Sequence, residues 1–426
     1  MYITLSDRGA KADASVKGRV VTRVSSTVIA MGIVSMFTDI SSESVSAVLP
    51  LYITAAMGMS TIAYGFIDGL YQGVSAVVRI GGGWAADRTD RPKWVAFLGY
   101  GISALARIWL LFATGFGAVT SVVAIDRIGK GIRTAPRDAL ITASSKPDNL
   151  GRSFGVHRML DTVGAAVGPL LAFVILWLLP NGYRAIFVLS LAFAITGVLI
   201  LGVIVRNGHP AREAGRAPTR RLWSVKDLKL PGMPRLLVAT GALGLITVGD
   251  GFIYLVLQAR SSFAAEWFPL LYVGTNIVFL ALAIPLGRWA DRIGRGRVFI
   301  LGHCALLVAY LVTTIQVGGI GVTLLCLALL GAFYAATDGV LSALTAQLTP
   351  PEGVASGIAA TQTVTAVARL IASTGFGVLW FALGRQHAME LVAGLAVLAV
   401  VASVWLLRPL LGVPEKVEAL PLGFDE

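Results

Sequence analysis

Two cysteines in 426 residues, Cys304 and Cys326, both inside apolar runs, exclude a disulfide framework. Four histidines and no Cys/His cluster exclude a zinc-type centre, so no metal site is expected. Charge is scarce as well. Only 14% of the residues are Asp, Glu, Lys or Arg, against roughly 25% in a soluble domain, which excludes a water-soluble globule of this size. Gly-x-Ser-x-Gly elbows and Gly-Lys phosphate loops are missing too, so neither an enzyme nor a cofactor is expected. Acids are the rarer sign, 23 against 35 basic residues. That excess reads as loop charge orienting a membrane protein, and nucleic acid is not an expected partner.

Apolar residues are abundant, at 56% of the chain. Twelve bilayer crossings of about 20 residues consume about 240 positions, which is what that share supplies. Backbone groups in lipid must be satisfied internally, so helices rather than open sheets are required. The 48 glycines suit close helix approach where lipid removes the hydrophobic drive. Runs of spanning length lie at about 26–52, 62–84, 95–116, 119–141, 155–179 and 184–205, then 236–257, 267–286, 298–316, 320–347, 358–383 and 389–411. The expected fold is therefore all-α: twelve transmembrane helices in two six-helix bundles. The expected parts are a cytosolic tail at 1–25, a first bundle at 26–205, a basic linker at 206–235, a second bundle at 236–411 and a cytosolic tail at 412–426. Of the 35 Lys and Arg, 24 fall on the side of the termini and three, Arg184, Arg260 and Arg385, on the other. This bias predicts both termini in the cytosol of a cell or inner-membrane protein.

The two halves repeat. GWAADRTDRPK from Gly83 returns as GRWADRIGRGR from Gly287, and PDNLGRSFG at 147–155 returns as PEGVASG at 351–357. With these motifs the chain resembles the major facilitator superfamily over nearly its whole length. Gly83, Asp87, Arg88 and Arg91 match the family's first loop motif, and Gly287, Asp291, Arg292 and Arg295 match its second copy. The first copy has Asp90 where a glycine is usual, and the second has Gly294. The resemblance implies a cytosolic gate, with Asp87 facing the start of span eleven near Gly357 and Asp291 facing the start of span five near Gly155. Span five itself carries Gly155, Gly164, Gly168 and Pro169, which resemble the antiporter motif of drug:proton exporters. Ala172 and Phe173 stand where that motif closes on a glycine pair.

Ionisable groups inside spans are expensive and mark function or a paired network. Arg127, Lys130, Arg133 and Arg137 fall on one stripe at 100° per residue, with Asp126, Asp138, Asp161, Glu43 and Asp39 as available partners. The stripe reads as a proton relay or anion site, or as a structural ion-pair network. Asp39 and Glu43, four apart on one helix face, are the leading proton carriers, with Asp161 and Arg127 beside them. Asp68, Tyr71, Gln72, Lys130, Arg133, Asp250, Tyr254, Tyr334, Asp338 and Gln362 are the expected cavity residues.

The resemblance implies alternating access and, with these carboxyls, proton-coupled export of a small amphipathic compound or drug. Symport or export of an anionic metabolite or siderophore, and lipid transport, remain the alternatives. The expected partners are a small-molecule substrate, protons and the bilayer, and the expected state is a monomer.

Overall fold

The computed structural model describes residues 24–89, 91–145, 149–205, 230–315, 318–350 and 353–411. The expected tails, most of the linker and Asp90 lie outside the described residues. The described chain is almost wholly helical. α1 (Ser26–Ser46) leads into the short α2 (Leu49–Leu51) and a π-helical turn at Tyr52–Ala56. α3 (Thr61–Thr89), α4 (Pro92–Leu110), α5 (Phe116–Ala143), α6 (Leu150–Leu178) and α7 (Tyr183–Val203) complete the first bundle. The second holds α8 (Met233–Leu245), α9 (Asp250–Ser261), α10 (Phe268–Ile293), α11 (Arg295–Thr314), α12 (Ile320–Gln347) and α13 (Val354–Leu407).

Among the described residues, eight helical stretches are long and apolar enough to cross a membrane on length and composition alone. α3, α4 and α5 are not among them; α5 carries the basic stripe. α13 counts twice. Its 54 residues would reach about 80 Å at 1.5 Å per residue, far beyond a hydrocarbon core of about 30 Å. Gly384, at φ 77° and ψ 165°, turns the chain back between the two crossings. The expected continuous seventh span is broken instead. α8 stops at Leu245 and α9 starts at Asp250. Tyr310 rescues the freed backbone, its hydroxyl donating to Ile246 O and accepting from Val248 N, both at 2.9 Å.

The bundles mirror each other. α1 packs on α6 and α7, and α5 on α3 and α4; α8 packs on α13, and α12 on α10 and α11. Gly164 and Gly168 seat α6 on the backbone of α1. A Cβ at 168 would lie 2.9 Å from Ile40 O and from Ser44 N, and one at 164 would collide with Met36 O. Gly164→Val is expected to destabilise the purified protein by about 1–3 kcal/mol, read as a lower midpoint in thermal unfolding. Val203 and Trp405, 83% and 74% exposed, belong to the outer apolar belt that such a fold turns to lipid.

The buried core is forked. At the face away from the termini, one apolar cluster runs through both bundles, from Tyr64, Leu110 and Phe187 to Phe252, Tyr310 and Phe376. At the face of the termini the core splits in two. Met31, Tyr100 and Leu201 belong to the first bundle, and Met233, Leu344 and Leu407 to the second. The molecule is thus closed at the opposite face and parted at the terminal face.

Candidate transport cavity

A cavity of about 400 Å³ lies in the crotch of that fork. It brings together Asp68, Tyr71, Gln72, Asp250, Tyr254, Tyr334 and Asp338 of the expected residues, and adds Glu43 from α1. Residues that the sequence alone did not place there include Ser46, Pro50 and Tyr64. Five tyrosines and four carboxyl groups therefore line one chamber, and no lysine or arginine is among its lining residues. The Tyr334 hydroxyl donates to Asp250 Oδ1 at 2.8 Å. Tyr254 pairs with Thr275 at 2.7 Å and stacks edge-on against Tyr272 at 4.6 Å. Arg369 of α13 lies 5.9 Å from the Tyr334 ring and in the field of Asp250 and Asp338.

Three expected cavity residues lie elsewhere. Arg133 is buried 4.6 Å from the Tyr100 ring, with Nη1 donating to Ser103 at 3.4 Å. It faces α4 because the helical stripe turns away from the chamber. Lys130 is not among the lining residues and lies in the field of Asp39 and Glu43. Gln362 accepts a hydrogen bond from Arg79 across the bundle interface.

The rest of the stripe is an ion-pair network. Asp126 sits between Arg107 Nη2 at 3.1 Å and Arg127 Nη2 at 2.5 Å, with all three side chains nearly sealed from solvent. Arg127 also lies 3.8 Å from the centroid of the Tyr71 ring, which fixes one wall of the cavity. Arg137 pairs with Asp138 at 3.0 Å and reaches Asp161 at 3.9 Å. Asp161 is also 3.3 Å from Arg158, and its carboxyl lies beside that of Asp39. The two expected proton carriers on α1 are therefore separated: Asp39 turns to α6, and Glu43 turns to the cavity.

The second gate motif is open. Asp291 pairs with Arg295 of its own loop at 2.9 Å, and no atom beyond the local helix lies within 4 Å of a Cβ built at Gly155 or Gly287. The expected contact of Asp291 with the start of span five is absent because the terminal face is parted. Arg292 is exposed, as is Arg91 at the start of α4. Gly83, Asp87 and Arg88 lie within α3, but their side chains fall outside the described residues. Gly294 turns the loop of the second copy at φ 108°, a conformation that favours glycine.

The Major Facilitator Superfamily description matches residues 31–275 and 261–424, one match on each half. The chain belongs to the major facilitator superfamily. It is thus a membrane transporter of small molecules rather than an enzyme. An uncharacterized MFS-type transporter of Methanocaldococcus jannaschii is 27% identical over 84% of this chain and 89% of its own length. The multidrug resistance protein MdtH of Salmonella arizonae is 25% identical over 55% of this chain and 57% of its own length. Among solved structures, the nucleoside transporter NupG superposes with a TM-score of 0.75 at 14% identity, covering 90% of this chain and 99% of that one. A bacterial homologue of the human lysosomal transporter Spinster, inward-facing and unoccupied, gives 0.72 at 14% identity over 90% and 97%. These last two likenesses speak for the fold.

One feature of this transporter was legible in its sequence and missed. Gly65, Gly69 and Gly73 follow a four-residue spacing in α3, and all three face α13 across the bundle interface.

Proposed function

We propose that this transporter is a proton-coupled exporter of a small amphipathic cation, working by alternating access. The observation that carries the reading is the cavity wall: Tyr64, Tyr71, Tyr254, Tyr272 and Tyr334 together with Glu43, Asp68, Asp250 and Asp338. Aromatic faces attract cations, and carboxylates neutralise them on desolvation. An anionic cargo would meet four acids, while Arg127 and Arg137 of the basic stripe are paired with Asp126, Asp138 and Asp161. The name of the MdtH relatives, multidrug resistance, agrees with an amphipathic cargo.

The proton site is the Asp39–Asp161 pair. Two carboxyls side by side resist ionising together, so the pair is suited to hold one proton between them. Lys130 and Arg137 are the cations that would take over when that proton leaves. Lying outside the cavity wall, the pair acts through the α1–α6 contact, while Glu43 on the same helix meets the cargo. Arg127 serves as a fixed charge, holding Tyr71 in place. The 24-to-3 distribution of basic residues supports a cytosolic terminal face in the cell membrane. The Gly155–Pro169 segment and the two loop motifs are assigned to antiport and to the cytosolic gate, with Asp87 and Asp291 closing it in the other state. The transporter acts as a single chain.

Purified protein is expected to gain thermal stability from tetraphenylphosphonium and none from an aromatic carboxylate of similar size. Asp250→Asn and Glu43→Gln are each expected to weaken phosphonium binding about tenfold, the loss of one charge contact in a partly desolvated site. Equal stabilisation by the anion would overturn the cargo assignment.

A further inference from the structure

We infer that Asp68 and Tyr64 of α3, docked on Gly249 and Gly251 of the broken seventh span, are the latch of the opposite-face gate. Both side chains stand in the first bundle, and their seats lie in the second. Asp68 accepts a hydrogen bond from Ser373 of α13, and its carboxyl rests against Gly249. A Cβ there would sit 2.8 Å from Asp68 Cγ and 3.1 Å from Oδ1. Tyr64, one turn earlier on α3, rests in the same way on Gly251, where a Cβ would meet Tyr64 Cζ at 3.0 Å and Pro50 Cγ at 2.8 Å. Gly249 has φ −60° and ψ 139°, so its smallness, and not its dihedral freedom, is what the seat uses. α9 begins at Asp250, so the Asp68 carboxyl also faces the positive end of that helix.

The same face of α3 continues the contact. A Cβ at Gly65 would lie 3.0 Å from Gly377 Cα, and one at Gly69 2.7 Å from Leu370 O. Thr61 Oγ1 donates to Gly377 O at 3.1 Å. Helices in lipid are held by such small-residue contacts and interhelical hydrogen bonds, because burial supplies no drive there. Another pairing between the bundles, α6 with α10 and the turn before it, has an aromatic contact at the opposite-face end, where Phe173 and Trp267 lie 5.4 Å apart. Parting the opposite face therefore means peeling α3 from α13 and α9, which removes Ser373 from Asp68 and lifts both side chains off the glycines. The latch makes its contacts in one state only, and this difference is what lets it bias the equilibrium.

The inference rests on transport by two moving bundles and on neither the cargo nor the coupled ion. Spin labels at Ala56→Cys and Leu383→Cys, in protein lacking Cys304 and Cys326, report the opening between the bundles by electron–electron double resonance without substrate. Ser373→Ala removes one hydrogen bond and adds no bulk; it is expected to raise the ratio of long to short distances about tenfold. Asp68→Ala and Gly249→Ala should shift the distribution in the same direction. A Gly249→Ala protein that fails to fold leaves Ser373→Ala and Asp68→Ala to decide. An unchanged distribution in both would overturn the latch, whereas a failure of cation or proton exchange leaves this readout intact.

Discussion

Asp126→Asn is expected to destabilise the protein by about 3–5 kcal/mol, the cost of leaving buried charge without its partner. Asp126 is the acid shared by Arg107 and Arg127, whose side chains are 6% and 2% exposed. Asparagine keeps the shape and removes the charge, so two guanidiniums lose their counter-ion in a site from which water is excluded. The loss would appear as a large fall in the thermal unfolding midpoint, or as failure to recover folded protein from the membrane. Arg107→Met tests the electrostatic cause. It leaves Asp126 and Arg127 as a one-to-one pair and is expected to cost much less. A comparable loss in both variants would mean that packing, and not charge balance, sets the effect.

Asp39→Asn and Asp161→Asn are expected to uncouple transport from protons while leaving downhill movement of cargo intact. Exchange of one proton for one monovalent cation moves no net charge, so the pH gradient alone drives it, and a tenfold proton gradient, about 1.4 kcal/mol, sustains about a tenfold accumulation ratio. In either variant that ratio should fall toward one. An amide in place of one carboxyl can hydrogen-bond the other across the α1–α6 contact but has no proton to release, so packing is spared and exchange is lost. Proteoliposomes carrying an internal pH-sensitive dye would report the difference. Wild-type proton flux in both variants would remove the pair from the coupling mechanism. Glu43→Gln, by contrast, should lower affinity for the cargo, so the two acids that are neighbours in sequence are expected to part in phenotype.

Much of the polar architecture was readable because lipid makes charge conspicuous. Asp68, Asp250, Tyr254, Tyr334 and Asp338 stand out in spans otherwise made of Leu, Val, Ala and Gly, and they converge on one chamber. Helical spacing placed Arg127, Lys130, Arg133 and Arg137 on one stripe, but spacing is silent on what a stripe faces. Arg133 went to α4 and Tyr100, and Lys130 is not among the lining residues. Tyr64 looks like an ordinary apolar-face aromatic until the bundles are brought together. Likewise Asp291 and Gly155 belong to motifs that the sequence displays in full, yet their separation depends on which state the bundles occupy.

The order of residues alone determined the class of molecule, the spans and the internal repeat. Each of these follows from local chain properties: hydropathy over about 20 residues, and the recurrence of Asp-Arg loops about two hundred positions apart. Tertiary structure decided where the seventh span breaks, which carboxyls face the chamber, that Asp39 meets Asp161, and that the opposite face is the closed one. Those are matters of helix rotation and of contacts between bundles, set by backbone approach at Gly65, Gly168 and Gly249. No single helix carries that information, because each such contact needs two.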